Sequence, residues 1–190
     1  MAEITMRTLT EPLWRLVAAV ISQPRVACWL IQRAQRTPYS HLEGYMERWW
    51  LFNPYPADRN MPDADRGRAK LFRWLPSVRI HHILREDRAA HHHDHPWNAR
   101  TIILRGYYDE VRIERGLHTL FEWLPVTTRR ARGETARILF GEYHHIARVS
   151  PGGVWTLFIT WSYGGSWGFS VGGTKVPWRE YLKRYPERGA

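Results

Sequence analysis

From Lys70 onward the chain is written in short β-type runs separated by glycine turns, and this grammar limits its fold more than any other feature. The runs are Val78 to Leu84, Thr101 to Leu104, Tyr107 to Ile113, Thr119 to Leu124, Arg137 to Phe140, His145 to Val149, Trp155 to Trp161 and Trp167 to Val171. Gly106, Gly133, Gly141, Gly152-Gly153, Gly164-Gly165 and Gly172-Gly173 punctuate them. Side chains alternate faces along a strand, so Val111 and Ile113 face one way and Arg112 and Glu114 the other. By the same rule Trp155, Leu157, Ile159 and Trp161 share one face. About eight such strands predict a mainly β, antiparallel sandwich or barrel. There is no internal repeat.

The first quarter reads differently. Leu13, Trp14, Val17, Val20 and Ile21 recur at helical spacing after Thr10, with Pro12 just inside the helix and Pro24 expected to end or kink it. A second periodic run covers Val26 to Gln35. Leu42 to Leu51 fits either a short helix or an edge strand. Asn53 to Arg68, rich in proline and aspartate, predicts an exposed loop and is the linker candidate. Pro177 to Lys183 suits a final helical turn. The expected organisation is a helical decoration over 1–52, a β-barrel over 70–176 and a tail over 177–190, within one globular domain.

A chain of 190 residues should bury roughly 70% of its unfolded surface, so no metal or disulfide is needed merely to hold it together. The single cysteine, Cys28, excludes an intramolecular disulfide and predicts a reducing, cytoplasmic setting. The N-terminal segment makes a poor signal peptide, and no apolar run approaches the ~20 residues of a membrane span. The formal charge of +10 raises the question of nucleic acid. Its cations are scattered and interleaved with acids, which favours a solvated basic surface over a nucleic-acid footprint.

The distribution of the ten histidines is the chemical signal. Six lie between His81 and His95, and His144-His145 form a second pair. Extended backbone would turn His93 and His95 to one side, where two neutral imidazoles can share an ion such as Fe, Zn, Ni, Cu or Mn. His144 or His145 can complete a facial set with open positions. The opposite face offers His92 and Asp94, which with a later histidine, His145, would make a two-histidine, one-carboxylate triad.

The stretch HDHPWNARTIILRGYYDE, from His93 to Glu110, resembles the first motif of the cupin superfamily. YHHIARVSPGGVWTLFITW, from Tyr143 to Trp161, resembles the later motif. More narrowly, ERWWLF, HDHPW, VWTLFITW, SWGF and VPWREYL resemble a set of small cupin-like proteins of bacteria and phages, over about Glu47 to Leu182. The resemblance implies a cupin-like antiparallel β-barrel or jelly roll with N-terminal helices. It implies His93, His95 and His144 as metal ligands, in preference to the His92 and Asp94 face. Many cupins add a glutamate ligand seven residues before the turn glycine; here that position is Ala99. The implied site is therefore three imidazoles without a carboxylate, similar to that of thiol dioxygenases in the superfamily.

Such a site would keep more positive charge on its metal and favour an anionic substrate. His81 either orients a ligand or is a satisfied barrel histidine. Arg100 and Arg105 either clamp a carboxylate or are surface cations. Trp97, Tyr108 and Tyr143 either line the pocket or belong to the core. The expected activity is that of a metal-dependent enzyme, foremost an Fe(II) oxygenase of the dioxygenase type acting on a small anionic molecule. The alternatives are a redox-inert Zn, Mn or Ni isomerase or hydrolase, and a non-catalytic module for an anionic partner. A homodimer joined at strand edges is implied by the resemblance.

Overall fold

A computed structural model describes residues 10–55, 71–72, 74–115 and 123–185. Helix α1 spans Glu11–Ile21 and α2 spans Pro24–Ala34. Pro24 does not kink one long helix: its fixed φ suits the first position of α2, after α1 has ended at Ser22. Ten strands follow: β1 (Met46–Phe52), β2 (Ser77–Ile83), β3 (Trp97–Arg105), β4 (Tyr107–Arg115), β5 (Trp123–Ala131), β6 (Thr135–Ile138), β7 (His144–Val149), β8 (Val154–Tyr163), β9 (Gly168–Val171) and β10 (Thr174–Pro177). A short helix, α3 (Trp178–Arg184), closes the described chain.

The strands form a five-stranded sheet in the order β1-β2-β8-β3-β6, a three-stranded sheet β5-β4-β7 and the hairpin β9-β10, every pairing antiparallel. The mainly β architecture with helices ahead of it is thus the one the sequence predicts. Leu42 to Leu51 resolves in favour of the edge strand, β1. Because β1 pairs with β2 along its length, the five-stranded sheet begins before residue 52, inside the segment expected to be helical decoration.

Alternation along β8 decides what lies on each side of the larger sheet. Trp155, Leu157, Ile159 and Trp161 do share a face, but it is the outer one: they pack with Ile80, Ile102 and Leu104 against Trp14, Ala18, Ala27 and Ala34 of α1 and α2. The inner face of the same strand carries Thr156 and Phe158. Burial on both faces explains why β8 reads as an almost unbroken apolar run with threonines inserted.

Two further expectations change. Asn53 and Tyr55, at the start of the expected exposed loop, are buried. The Asn53 amide donates to the carbonyls of Phe72 (2.9 Å) and Leu75 (3.0 Å), and Ser77 Oγ donates to the Asn53 carbonyl (2.8 Å). Residues 56–68 of that loop, and 119–122 of the run expected at Thr119 to Leu124, lie outside the described residues. At the β3–β4 turn Gly106 has φ +80°, and a Cβ there would meet Ser150 Oγ at 2.6 Å and the Gly153 carbonyl at 2.7 Å, so only glycine fits.

Candidate metal centre

The histidine run does not sit on a regular strand. His91 to Pro96 form an extended segment leading into β3, held by backbone pairs on both sides. The amides of His93 and His144 donate to each other's carbonyls at 3.0 and 2.9 Å. On the other side Asp94 N–H donates to the Gly168 carbonyl (3.0 Å) and Ser170 N–H to the His92 carbonyl (2.9 Å). Extended backbone keeps the two-residue period, so His93 and His95 project together and Asp94 projects away.

His93, His95 and His144 each bring one ring nitrogen to a common point, the three nitrogens lying within 4.8 Å of one another. Nε2 of His95 stands 2.9 Å from Nε2 of His144. Two nitrogens bound to one ion at ~2.1 Å each, and subtending roughly a right angle there, would be about 3 Å apart, so the His95 and His144 pair is spaced for a divalent cation, and the ring of His93 completes the set with a small inward movement. Among the described residues no carboxylate belongs to this group.

The surrounding groups fix the state of the imidazoles. Nδ1 of His144 lies 2.8 Å from Oε1 of the fully buried Glu110. Burial works to raise the Glu110 carboxyl, but the His144 hydrogen bond and charge, with the Arg112 guanidinium at 2.9 Å, hold it well below the usual carboxylate range. An ionised Glu110 accepts the Nδ1 proton of His144, and in the neutral ring this tautomer leaves the Nε2 lone pair toward His95. Burial lowers His93 to about 4, against a smaller upward pull from Asp87, whose Oδ2 is 3.7 Å from Nδ1. His95 lies well below its usual value, again through burial, then through the charges of His144 and His93. Neutral imidazole is the form that binds metal.

Asp87 is the second supporting carboxylate. It accepts from the Tyr45 hydroxyl and from Ile146 N–H (2.8 Å), and is 3.8 Å from His145 Nδ1. Burial opposes its ionisation, while His93, the Ile146 amide and the Tyr45 hydroxyl lower its pKa.

The three histidines open onto a cavity of about 450 Å³ between the two sheets. Its walls include Trp97 from β3, Tyr108 from β4, Phe158 from β8 and Phe169 from β9. His81 also lines it, stacked on Phe158 with ring centroids 5.0 Å apart. Burial, then the charges of Arg79 and Arg48, push His81 well below its usual value, so it is neutral. Trp97 stacks on His95. Tyr108 is almost fully buried, and burial followed by the Glu110 charge raises its hydroxyl above the usual range.

Other expected site residues fall elsewhere. Arg100 is buried on the outer face of β3, where it holds Glu11 of α1 through both terminal guanidinium nitrogens (2.8 and 3.1 Å) and lies over the Trp14 ring at 4.8 Å. It secures the helices and is no substrate clamp, because its strand position faces them. Arg105 is exposed at the end of β3 and does not line the cavity. Tyr143 lines a separate, open groove with His92. His92, Asp94 and His145 form no group able to hold an ion. Asp94 instead accepts from Gly168 N–H (2.7 Å) and Lys175 Nζ (2.5 Å), tying the histidine segment to the β9-β10 hairpin. Gly168 is confined to glycine there, since a Cβ would meet the Val176 carbonyl at 2.2 Å.

Sequence reasoning missed Glu110, Asp87 and Arg79. For Arg79 a partial signal existed: in SVRIHHI the apolar Val78 and Ile80 alternate with Arg79 and His81, which therefore share one face, and the packing of the helices makes it the inner one. Glu110 is masked by a bulge. The β4–β7 register slips between Asp109↔Arg148 and Glu110↔Ile146, and this brings the carboxylate beside His144.

No family model and no curated protein matches the chain. Similar solved structures do exist. Vicilin from hazelnut (Corylus avellana) has a TM-score of 0.48 at 10% identity, over 72% of this chain and 35% of that one. Oxalate decarboxylase from Bacillus subtilis gives 0.46 at 9% identity, over 78% and 32%. The Lactobacillus farciminis oxalate decarboxylase in complex with formate gives 0.46 at 13% identity, over 78% and 36%. The chain spans about a third of the length of each. The Bacillus subtilis enzyme carries Mn(II) centres.

Proposed function

We propose that the chain is a metal-dependent enzyme that holds one divalent cation at His93, His95 and His144 and works on a small anionic molecule in the cavity beside them. The observation that carries this reading is the convergence of three ring nitrogens within 4.8 Å on a cavity of small-molecule size. A cluster of chance histidines would have little reason to be supported by buried carboxylates. Here Glu110 holds the proton on Nδ1 of His144, and Asp87 stands behind His93.

Fe(II) is the favoured ion, and oxygen-dependent oxidation of the substrate the favoured reaction. Three neutral ligands leave the full double charge of the ion in place, and a right-angled pair of imidazoles suits an ion that keeps further positions open. When bound, that ion would supply a redox centre and a Lewis acid for an anionic donor. The protein's own residues would do the rest. Glu110 fixes the His144 tautomer, and Trp97 and Phe158 shield the histidines from water.

The test is elemental analysis of untagged protein purified without chelator, beside His93→Ala. Anaerobic iron reconstitution and oxygen-uptake assays with thiol, amino-acid and aromatic substrates would follow. Stoichiometric iron lost in the variant, with substrate-dependent uptake, supports the reading. Zinc retained in preparations from iron-rich medium, with no uptake, moves it to redox-inert isomerisation or hydrolysis. Absence of metal from both proteins removes the metal-dependent reading and leaves an anion-binding module.

A further inference from the structure

Three arginines of this fold are enclosed to different ends. Arg100 is paired with Glu11, and Arg112 with Glu110 and Glu142. Arg79, on the inner face of β2, is 2% exposed, and no carboxylate among the described residues pairs with it. Its Nε and Nη2 are buried without a hydrogen-bond acceptor. Its guanidinium instead sits among aromatic rings, 4.9 Å from the centroid of Trp97, 5.3 Å from Phe158, 5.4 Å from Trp50, 5.8 Å from Tyr55 and 5.9 Å from Tyr39.

Ring faces attract a cation but accept no conventional N–H hydrogen bond, so they offset only part of the cost of removing it from water. A permanently charged fork with free donors, beside a cavity, is matched to a ligand that brings an acceptor pair. Its neighbour on the inner row of β2, His81, likewise has a buried Nε2 without a partner. Arg79 and His81 both line the cavity that holds the three histidines.

We propose that Arg79, assisted by His81, is the carboxylate-binding residue of this cavity, and that the substrate is a small monocarboxylate with a second donor group for the metal. This rests on the metal-site reading for the second half only. The rings of Trp97 and Phe158 neighbour both the Arg79 guanidinium and the His95 imidazole, so a molecule of a few heavy atoms reaches from one to the other. Geometry selects the class: among the described residues Arg79 is the enclosed cation of the cavity, and its planar fork beside a neutral His81 matches the paired oxygens of a carboxylate. The aromatic walls favour an apolar body between the two ends.

Thermal melts and titration calorimetry of the full chain, stripped of metal, test the subsite. The probes are sodium acetate and sodium benzoate, against benzamide and sodium chloride at equal ionic strength. A carboxylate that binds the folded protein raises its melting temperature with concentration. Wild type should be stabilised by acetate or benzoate and not by the controls. Arg79→Met should bind the carboxylate at least tenfold more weakly while reloading with metal to the wild-type stoichiometry, and Arg79→Lys should fall between. An unpaired cation retained for a ligand also predicts that Arg79→Met melts at or above the wild-type temperature without ligand. A wild type indifferent to both carboxylates, or one that responds equally to benzamide, overturns the assignment even if Arg79→Met does not fold. So does an Arg79→Met that responds as wild type does. Failure of the metal reading looks different: the carboxylate response persists while wild type and His93→Ala take up no metal.

Discussion

His144 and Glu110 stand on adjacent strands, the carboxylate oxygen 2.8 Å from Nδ1, so the imidazole that faces the cavity is held from behind by a buried charge. Glu110→Gln should weaken metal binding about 10- to 100-fold, the usual effect of losing such a support. Competition with a chromophoric chelator measures this. Unchanged affinity would show that the His144 tautomer does not depend on Glu110.

The buried histidines predict an acid-sensitive fold. In the unfolded chain they titrate near 6.5, whereas His93 in the folded protein titrates at about 4 and His95 and His81 lie well below their usual value. Below pH 6.5 the unfolded state therefore binds more protons, and stability falls as pH drops. His93 would contribute a loss on the order of 3 kcal/mol by pH 4. Glu110, held low, keeps its contribution through this window and loses it only at more acidic pH. Urea melts of metal-free protein between pH 7.5 and 4.5 should show a steady decline; a flat profile would mean that these rings are accessible to water.

Asp94 and His95 make opposite predictions. His95→Ala should lose metal with the fold intact. Asp94→Asn should keep metal and cost about 2 kcal/mol, because Lys175 and the Gly168 amide lose an ionised acceptor. Metal analysis with a denaturant melt on each variant decides; metal lost with Asp94 and kept without His95 would place the site on the other face of the segment.

Arg100 should matter for the helices and not for the cavity. Glu11 is half-exposed, so Glu11→Gln should cost about 1 kcal/mol or less. It should leave metal stoichiometry and carboxylate binding unchanged. An altered carboxylate affinity would return Arg100 to the cavity.

Much of this arrangement was legible in the sequence. Period-two alternation placed the four apolar residues of β8 on one face, and histidine spacing brought His93 and His95 to one side. The sign of each face was less accessible. An apolar row can face the interior or a covering helix, and only the packing of Trp14 and Ala18 shows that Trp155 to Trp161 point outward. Arg100 and Arg79 illustrate the same limit, since each alternates with apolar neighbours and only the location of Glu11 tells them apart. The contribution of Glu110 depends on a one-residue bulge, which no periodic pattern announces.

The helices cover the back of β1, β2, β3 and β6, while Ile113, Leu124 and Val126 on the smaller sheet are exposed to solvent. One wall of the cavity is thus double and the other has an exposed outer face. Arg79 and His81 stand on the sheathed wall, and His144 on the thinner one, bridged to the His93 segment. Amide protons of β2 and β8 should exchange with solvent more slowly than those of β4 and β7. Breathing of the thinner wall would then alter the span between the guanidinium and the three imidazoles, and so the length of molecule that can be held between them.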